Sequence, residues 1–164
     1  MIPWENRPVE IAYLLNPSFC GEIVRRCIKK YETINSMGFP YPLLFFILPI
    51  VLHRLTRESI SPRQRSQLHV WLQNNQYVRV GFAERAKHLV SITKESVAFL
   101  LQLNSIIVDD KANIKVNNYN PTDQAKSIEA AEVLDCYKKA EIVGRWFAKA
   151  GTPTNIYIMW GVRP

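Results

Sequence analysis

Apolar positions along this chain recur mostly at helical spacing, and one stretch passes from that spacing to strict alternation. Over 77–90 they fall at Val78, Phe82, Ala86 and Leu89, one stripe three to four residues apart. After Ser91-Ile92, read as a tight turn, they return at Val97, Leu100, Leu101 and Leu103. Thr93 is placed to cap that second helix, with Glu95 in its first turn. Ile106 and Val108 then alternate with their neighbours, Asp109 to Asn113 make a polar turn, and Ile114 and Val116 alternate again. Two helices followed by a hairpin predict a winged helix-turn-helix over 77–117.

The flanking pattern is helical too. A short helix is expected over 9–15. Asn16 can cap the next, Pro17 suits its first turn, and Phe19, Ile23, Val24, Cys27, Ile28 and Tyr31 share its inward face to about Thr33. Arg25, Arg26, Lys29 and Lys30 are expected off that face, with Glu22 pairing with Arg26 four residues on. The run FPYPLLFFILPIVL predicts a core helix from near Pro42, kinked or tightened at Pro49. A linker is expected over 55–64. Ser61-Pro62 then opens a helix to Asn74 whose apolar side is Leu68, Trp71 and Leu72. A break at Pro121 precedes a long helix over 122–150, stopped by Gly151 and Pro153, and the tail is a last short helix or strand. The expected class is mainly α: a helical domain built around a winged helix-turn-helix with a small β-hairpin wing. Its parts are 1–60, 61–118 and 119–164 of one compact domain.

Composition narrows the partners. The net charge is +7, which favours acidic ones. The excess is uneven: residues 61–90 hold Arg63, Arg65, Arg79, Arg85 and Lys87 against Glu84 alone. Three cysteines with no CxxC pair read as small buried hydrophobes in a reducing cytoplasm. The longest apolar run is shorter than the roughly 20 residues that cross a bilayer, so no membrane partner is expected.

Catalytic chemistry finds little purchase. No phosphate-cradling glycine loop and no GxSxG elbow occurs, so no cofactor is expected. His53, His69 and His88 lack a second histidine or carboxylate at ligand spacing, and no metal site is expected. His53 reads as a helix C-terminal residue, His69 and His88 as exposed. Asp109 and Asp110 read as turn formers, and Glu129, Glu132 and Asp135 as a solvated helix face. The expectation is that the chain is not an enzyme.

The nucleic-acid candidates are Arg79, Arg85, Lys87 and Lys94. The first three could rest on phosphates. The second helix, with Lys94 its only cation against Glu95, is a poor reader of base edges. Non-specific DNA contact therefore ranks above sequence-specific reading, and contact with proteins above both. Trp4, Phe39, Tyr41, Trp71, Tyr157 and Trp160 include candidate interface anchors. Both ends, PWENRP and WGVRP, pair a Trp with an Arg and a Pro. Trp4, Arg7, Trp160 and Arg163 are accordingly the candidate partner-binding residues.

The segments PWENRPVEIAYLLNPSFCGEIV, PYPLLFFILPIVLH, GFAERAKHLVSITKESVAFLLQ and GVRP together resemble the middle component of bacterial three-component ABC ATPase systems. The likeness spans nearly the whole chain. It implies a non-catalytic winged-helix adaptor that couples an SMC-like ABC ATPase to an effector protein, in a system acting against phages or plasmids. By analogy with winged-helix partners of SMC complexes, it would dimerise or clasp a neighbouring chain. The alternative is a small DNA-binding winged-helix regulator.

Overall fold

The computed structural model describes residues 15–117 and 131–163. The expected helix over 9–15 (Leu15 apart), Trp4, Arg7, Pro121, Glu129 and the start of the expected long helix lie outside the described residues. Within them the fold is mainly α: eight α-helices and one small antiparallel sheet.

Helix α1, Pro17–Glu32, begins as its sequence dictates. Asn16 Oδ1 accepts the Ser18 N–H at 2.8 Å, and Pro17 occupies a first-turn position where no N–H is needed. Ile23, Val24, Cys27, Ile28 and Tyr31 are buried along it. Arg25 departs from expectation. It is buried rather than projecting, because Glu22 Oε2 and Oε1 accept its Nε and Nη2 at 2.7 and 2.8 Å. The expected Glu22–Arg26 pair forms at 2.7 Å.

Strand β1, Phe39–Pro40, and a single 3-10 turn, Tyr41–Leu43, lead into α2, Leu44–Val51. Seven of the eight α2 residues are buried, which suits its unbroken apolar sequence. Pro49 removes only the bond that its N–H would have made to Phe45, and the helix ends two residues later.

The expected linker is half helix. Its first residues form α3, Arg54–Ser59, with an Arg54–Glu58 pair at 2.7 Å and Arg57 buried. His53 accordingly precedes a helix as well as following one. The next helix, α4, is Leu68–Asn74 and does not start at Pro62. Tertiary contacts hold 61–67 open: Gln64 O accepts from Arg145 Nη2, and Ser66 O accepts the Trp146 indole N–H at 2.8 Å. Leu68, Trp71 and Leu72 are buried as their spacing predicts.

The expected helix over 77–90 is broken. A 3-10 turn, Gln76–Arg79, stops at Val80. Gly81 adopts φ +65°, which a residue with a side chain resists, and α5, Phe82–His88, follows. The turn expected at Ser91-Ile92 instead falls at Leu89, and both residues lie inside α6, Val90–Gln102. Burial decides this, since Ile92 and Thr93 face the core. Thr93 is therefore no cap; its Oγ1 donates to Leu89 O one turn back at 2.9 Å.

The hairpin forms as read, with β2, Ile106–Val108, against β3, Asn113–Val116. Asp109 turns it: Oδ1 accepts the Lys111 and Asn113 N–H groups at 3.0 and 2.9 Å. The sequence pattern did not disclose that β1 adds to the far side of β3, pairing Phe39 with Ile114, so the order is β1-β3-β2 and β2 is an edge.

Helix α7, Ala131–Lys149, runs parallel to α1. Phe19 meets Tyr137, Arg26 meets Tyr137 and Glu141, and Cys27 meets Gly144, so both sequences advance together. Gly144 sits against the Cys27 backbone, so close that a Cβ there would collide with it. Helix α8, Pro153–Trp160, folds back onto the core. There Trp71 lies 4.7 Å from Trp146, Phe82 stacks on Trp160 at 4.2 Å, and Phe46 lies 4.5 Å from Tyr157. Cys20, Cys27 and Cys136 are buried thiols.

Candidate docking surfaces

The expected nucleic-acid residues divide. Arg79, Lys87 and Lys94 are exposed. Arg85 is committed to the fold: its Nη1 and Nη2 donate to Val80 O and Val78 O at 2.6 and 2.7 Å, and its guanidinium lies 5.7 Å from the Phe82 ring. Burial lowers its pKa from the usual arginine value. The exposed positions of α6 are Ser91, Lys94, Ala98, Leu101 and Gln102, one cation in five.

The expected partner anchors divide as well. Trp160 is 1% exposed and stacked in the core, so it is no surface anchor. The physical reason is α8: as a helix, the tail turns Ile156 and Trp160, four residues apart, onto one buried face. Phe39 and Trp71 are core residues too, while Tyr41 is exposed and Arg163 stands at the surface. Tyr157 is half-buried, and its hydroxyl donates to Pro42 O at 3.1 Å.

The ionisable groups that the fold assembles serve as struts. Burial pushes the Glu22 carboxyl up, but the Arg25 and Arg26 guanidinia outweigh it and leave it below the usual carboxylate value. Arg57, buried, donates to Glu132, stands 3.3 Å from Asp135 and donates to Val51 O at 3.2 Å. Lys139, also buried, lies 3.5 Å from Asp135 and donates to Ile60 O. Glu132 and Asp135, read from sequence as a solvated face, thus tie α7 to α3. The depression that they line with Arg54, Arg57 and Glu58 holds charges already paired with one another. Burial, then the Arg85 charge, lower the His53 pKa, and its Nδ1 lies 2.7 Å from Thr56 Oγ1. Burial pushes the Cys20 thiol up to about 12. Among the described residues no group of three His, Cys, Asp or Glu side chains could hold a metal ion.

Large apolar side chains reach water at several places, Met37, Leu55 and Ile158 among them, and two groups of them lie close together in sequence. On β2, an edge strand of the sheet among the described residues, Ile107 and Val108 are 42% and 52% exposed, close in sequence to the exposed Leu101 and Leu103 at the end of α6. Ile107 pairs across to Lys115, flanked by backbone bonds between Asn117 and Ser105 and between Asp109 and Asn113. In that alternating pattern the backbone groups of Ile106 and Val108 point to the open side. The second group is in the turn before α5, where Tyr77 and Val80 are exposed.

The family model for ABC-three component (ABC-3C) system Middle Component 3 matches residues 4–164. The chain belongs to that family. As a middle component it is one part of a three-component ABC system. No curated protein and no solved structure matches it. No helix among the described residues is long and apolar enough to cross a membrane.

Sequence reading of this middle component missed Tyr77 and Val80 as surface residues and Arg57 as a buried strut. Val80 sits in a run of helical spacing, and only Gly81 signalled a break. Arg57 gave no signal, since its partners lie 75 and 78 residues away.

Proposed function

We propose that this chain is a non-catalytic adaptor that links the ABC-type ATPase of its system to an effector, in defence against phages or plasmids. The observation that carries the reading is the β2 edge of the sheet, where Ile107 and Val108 are exposed and β3 is the one strand paired with β2 among the described residues. Soluble chains blunt such edges with charge or proline, and one left apolar is suited to accept a strand or a helix from another protein. Membership of a middle-component family supplies the candidate partners. The non-catalytic part rests on the ionisable groups, which are paired as struts rather than converging on a cleft.

The order helix, β1, helices, hairpin, with β1 completing the sheet, supports reading residues 39–116 as a winged helix used for protein contact. A regulator that reads DNA is less favoured, because Arg85 is bound to backbone carbonyls and α6 offers one outward cation.

Co-expression with the ATPase and the third component tests this reading. A complex containing all three is expected on size-exclusion chromatography. A chain that elutes apart from both would defeat the proposal.

A further inference from the structure

An adaptor that links two components needs two surfaces, and the second lies in the turn ahead of α5. Tyr77 and Val80 are 54% and 75% exposed. They are also held firmly. Val78 between them is 1% exposed and Phe82 beyond them is fully buried. The Val80 N–H donates to Tyr77 O at 3.1 Å, and Arg85 grips the carbonyls of both Val78 and Val80 from below. Two apolar side chains are thus presented to water from a backbone with little freedom left to lose on binding, the arrangement that makes a contact strong for its area.

The sequence on either side is positive. Over 61–94 the exposed ionised residues are Arg63, Arg65, Arg79, Lys87 and Lys94 against the single acid Glu84. Arg79 is the immediate neighbour of Val80. We propose that Tyr77 and Val80 form a docking knob for an apolar pocket rimmed by carboxylates on another protein of the same three-component assembly. This rests on the adaptor reading. Complementary charge selects an acidic rim and speeds encounter, while the branched Val80 side chain selects a dry pocket. A phosphate backbone would use the cations alone and leave both apolar side chains in water.

Two variants separate these possibilities: Val80→Asp, and Arg79→Glu with Lys87→Glu. All three positions are exposed and Arg85 is left in place, so thermal melts should match the parent. The purified ATPase component, the purified third component and a 20-base-pair duplex (about two helical turns) are each titrated separately. The knob is supported if one protein component binds the parent, loses at least tenfold in affinity to either variant, and weakens with salt only while Arg79 and Lys87 are present. If both variants bind that component as the parent does, the knob is wrong and the adaptor reading stands. If only duplex binding falls, and only in the double charge variant, the face is a nucleic-acid surface and the knob is again wrong. If neither protein component binds the parent, the adaptor reading fails and the knob falls with it.

Discussion

Replacing Gly144 by alanine sets two physical effects of opposite sign against each other. Gly144 is inside α7 with no left-handed backbone, so helix propensity alone favours alanine by about 1 kcal/mol. The tertiary structure opposes it. A Cβ there would lie 3.0 Å from the Cys27 carbonyl carbon, 3.2 Å from its Cα, and closer still to its carbonyl oxygen. Backbone cannot rotate away as a side chain can. Carbon atoms settle near 3.5–4.0 Å, so α1 and α7 must part by about 0.5–1 Å. A gap of that size forfeits a quarter to a half of each dispersion contact, worth ~0.1–0.2 kcal/mol apiece. Over on the order of thirty atom pairs this comes to about 2 kcal/mol. Repulsion left after the shift adds to it, which puts the loss within the 1–3 kcal/mol or more typical of overpacking. After the propensity gain, a net loss of about 1–2 kcal/mol remains, or a fall in Tm of roughly 2–8 °C. The control is Gly21→Ala in α1. Its Cβ meets side chains alone, Leu100 at 3.3 Å, which can give way, and Phe99 at an ordinary 3.7 Å, so that variant should melt within a degree or two of the parent or slightly above. Calorimetric melts of the three proteins decide the matter. A Gly144→Ala variant as stable as Gly21→Ala would refute the close-crossing argument.

The remaining expectations concern the core and the struts. Trp160→Ala should cost about 4 kcal/mol in urea unfolding, the range for a fully buried aromatic. Trp160→Phe should cost much less, since it keeps a ring on Phe82 and removes an indole N–H that has no hydrogen-bond partner among the described residues. Glu22 has a folded pKa below its ordinary 4.5, so its stabilisation is present above pH 4.5 and is lost as pH falls through the folded value. Glu22→Gln should therefore lower stability at neutral pH and flatten the acid limb of the stability profile below pH 4.5; an unchanged limb would contradict the pairing. Arg85→Ala should raise amide exchange at Val80 about fivefold, for roughly 1 kcal/mol of lost hydrogen bonding. Exchange equal to the parent's would show that Arg85 does not hold the turn.

Elements whose signals are local were legible in the chain itself. Asn16-Pro17 started α1, Asp109 turned the hairpin, Gly151 and Pro153 parted α7 from α8, and the α1 face from Ile23 to Tyr31 was readable from spacing. Local signals suffice there because the decisive bonds join residues two to four apart. The mainly α class followed from the same patterns, while the family likeness rested on the resemblance of whole segments such as PYPLLFFILPIVLH.

Tertiary structure alone decided the rest. Ser91 and Ile92 look like a turn, yet burial of Ile92 and Thr93 keeps them helical, and Ser61-Pro62 fails to start a helix because Arg145 and Trp146 draw the 61–67 carbonyls elsewhere. Arg25 read as a projecting cation and Arg57 lay in an expected linker, yet both are buried, because carboxylates of Glu22, Glu132 and Asp135 offset the cost of removing them from water. Trp160 is buried, and Tyr77 and Val80 are exposed, for one reason. Spacing tells which residues share a face, but which face meets solvent depends on what packs against it, and those neighbours come from distant parts of the chain.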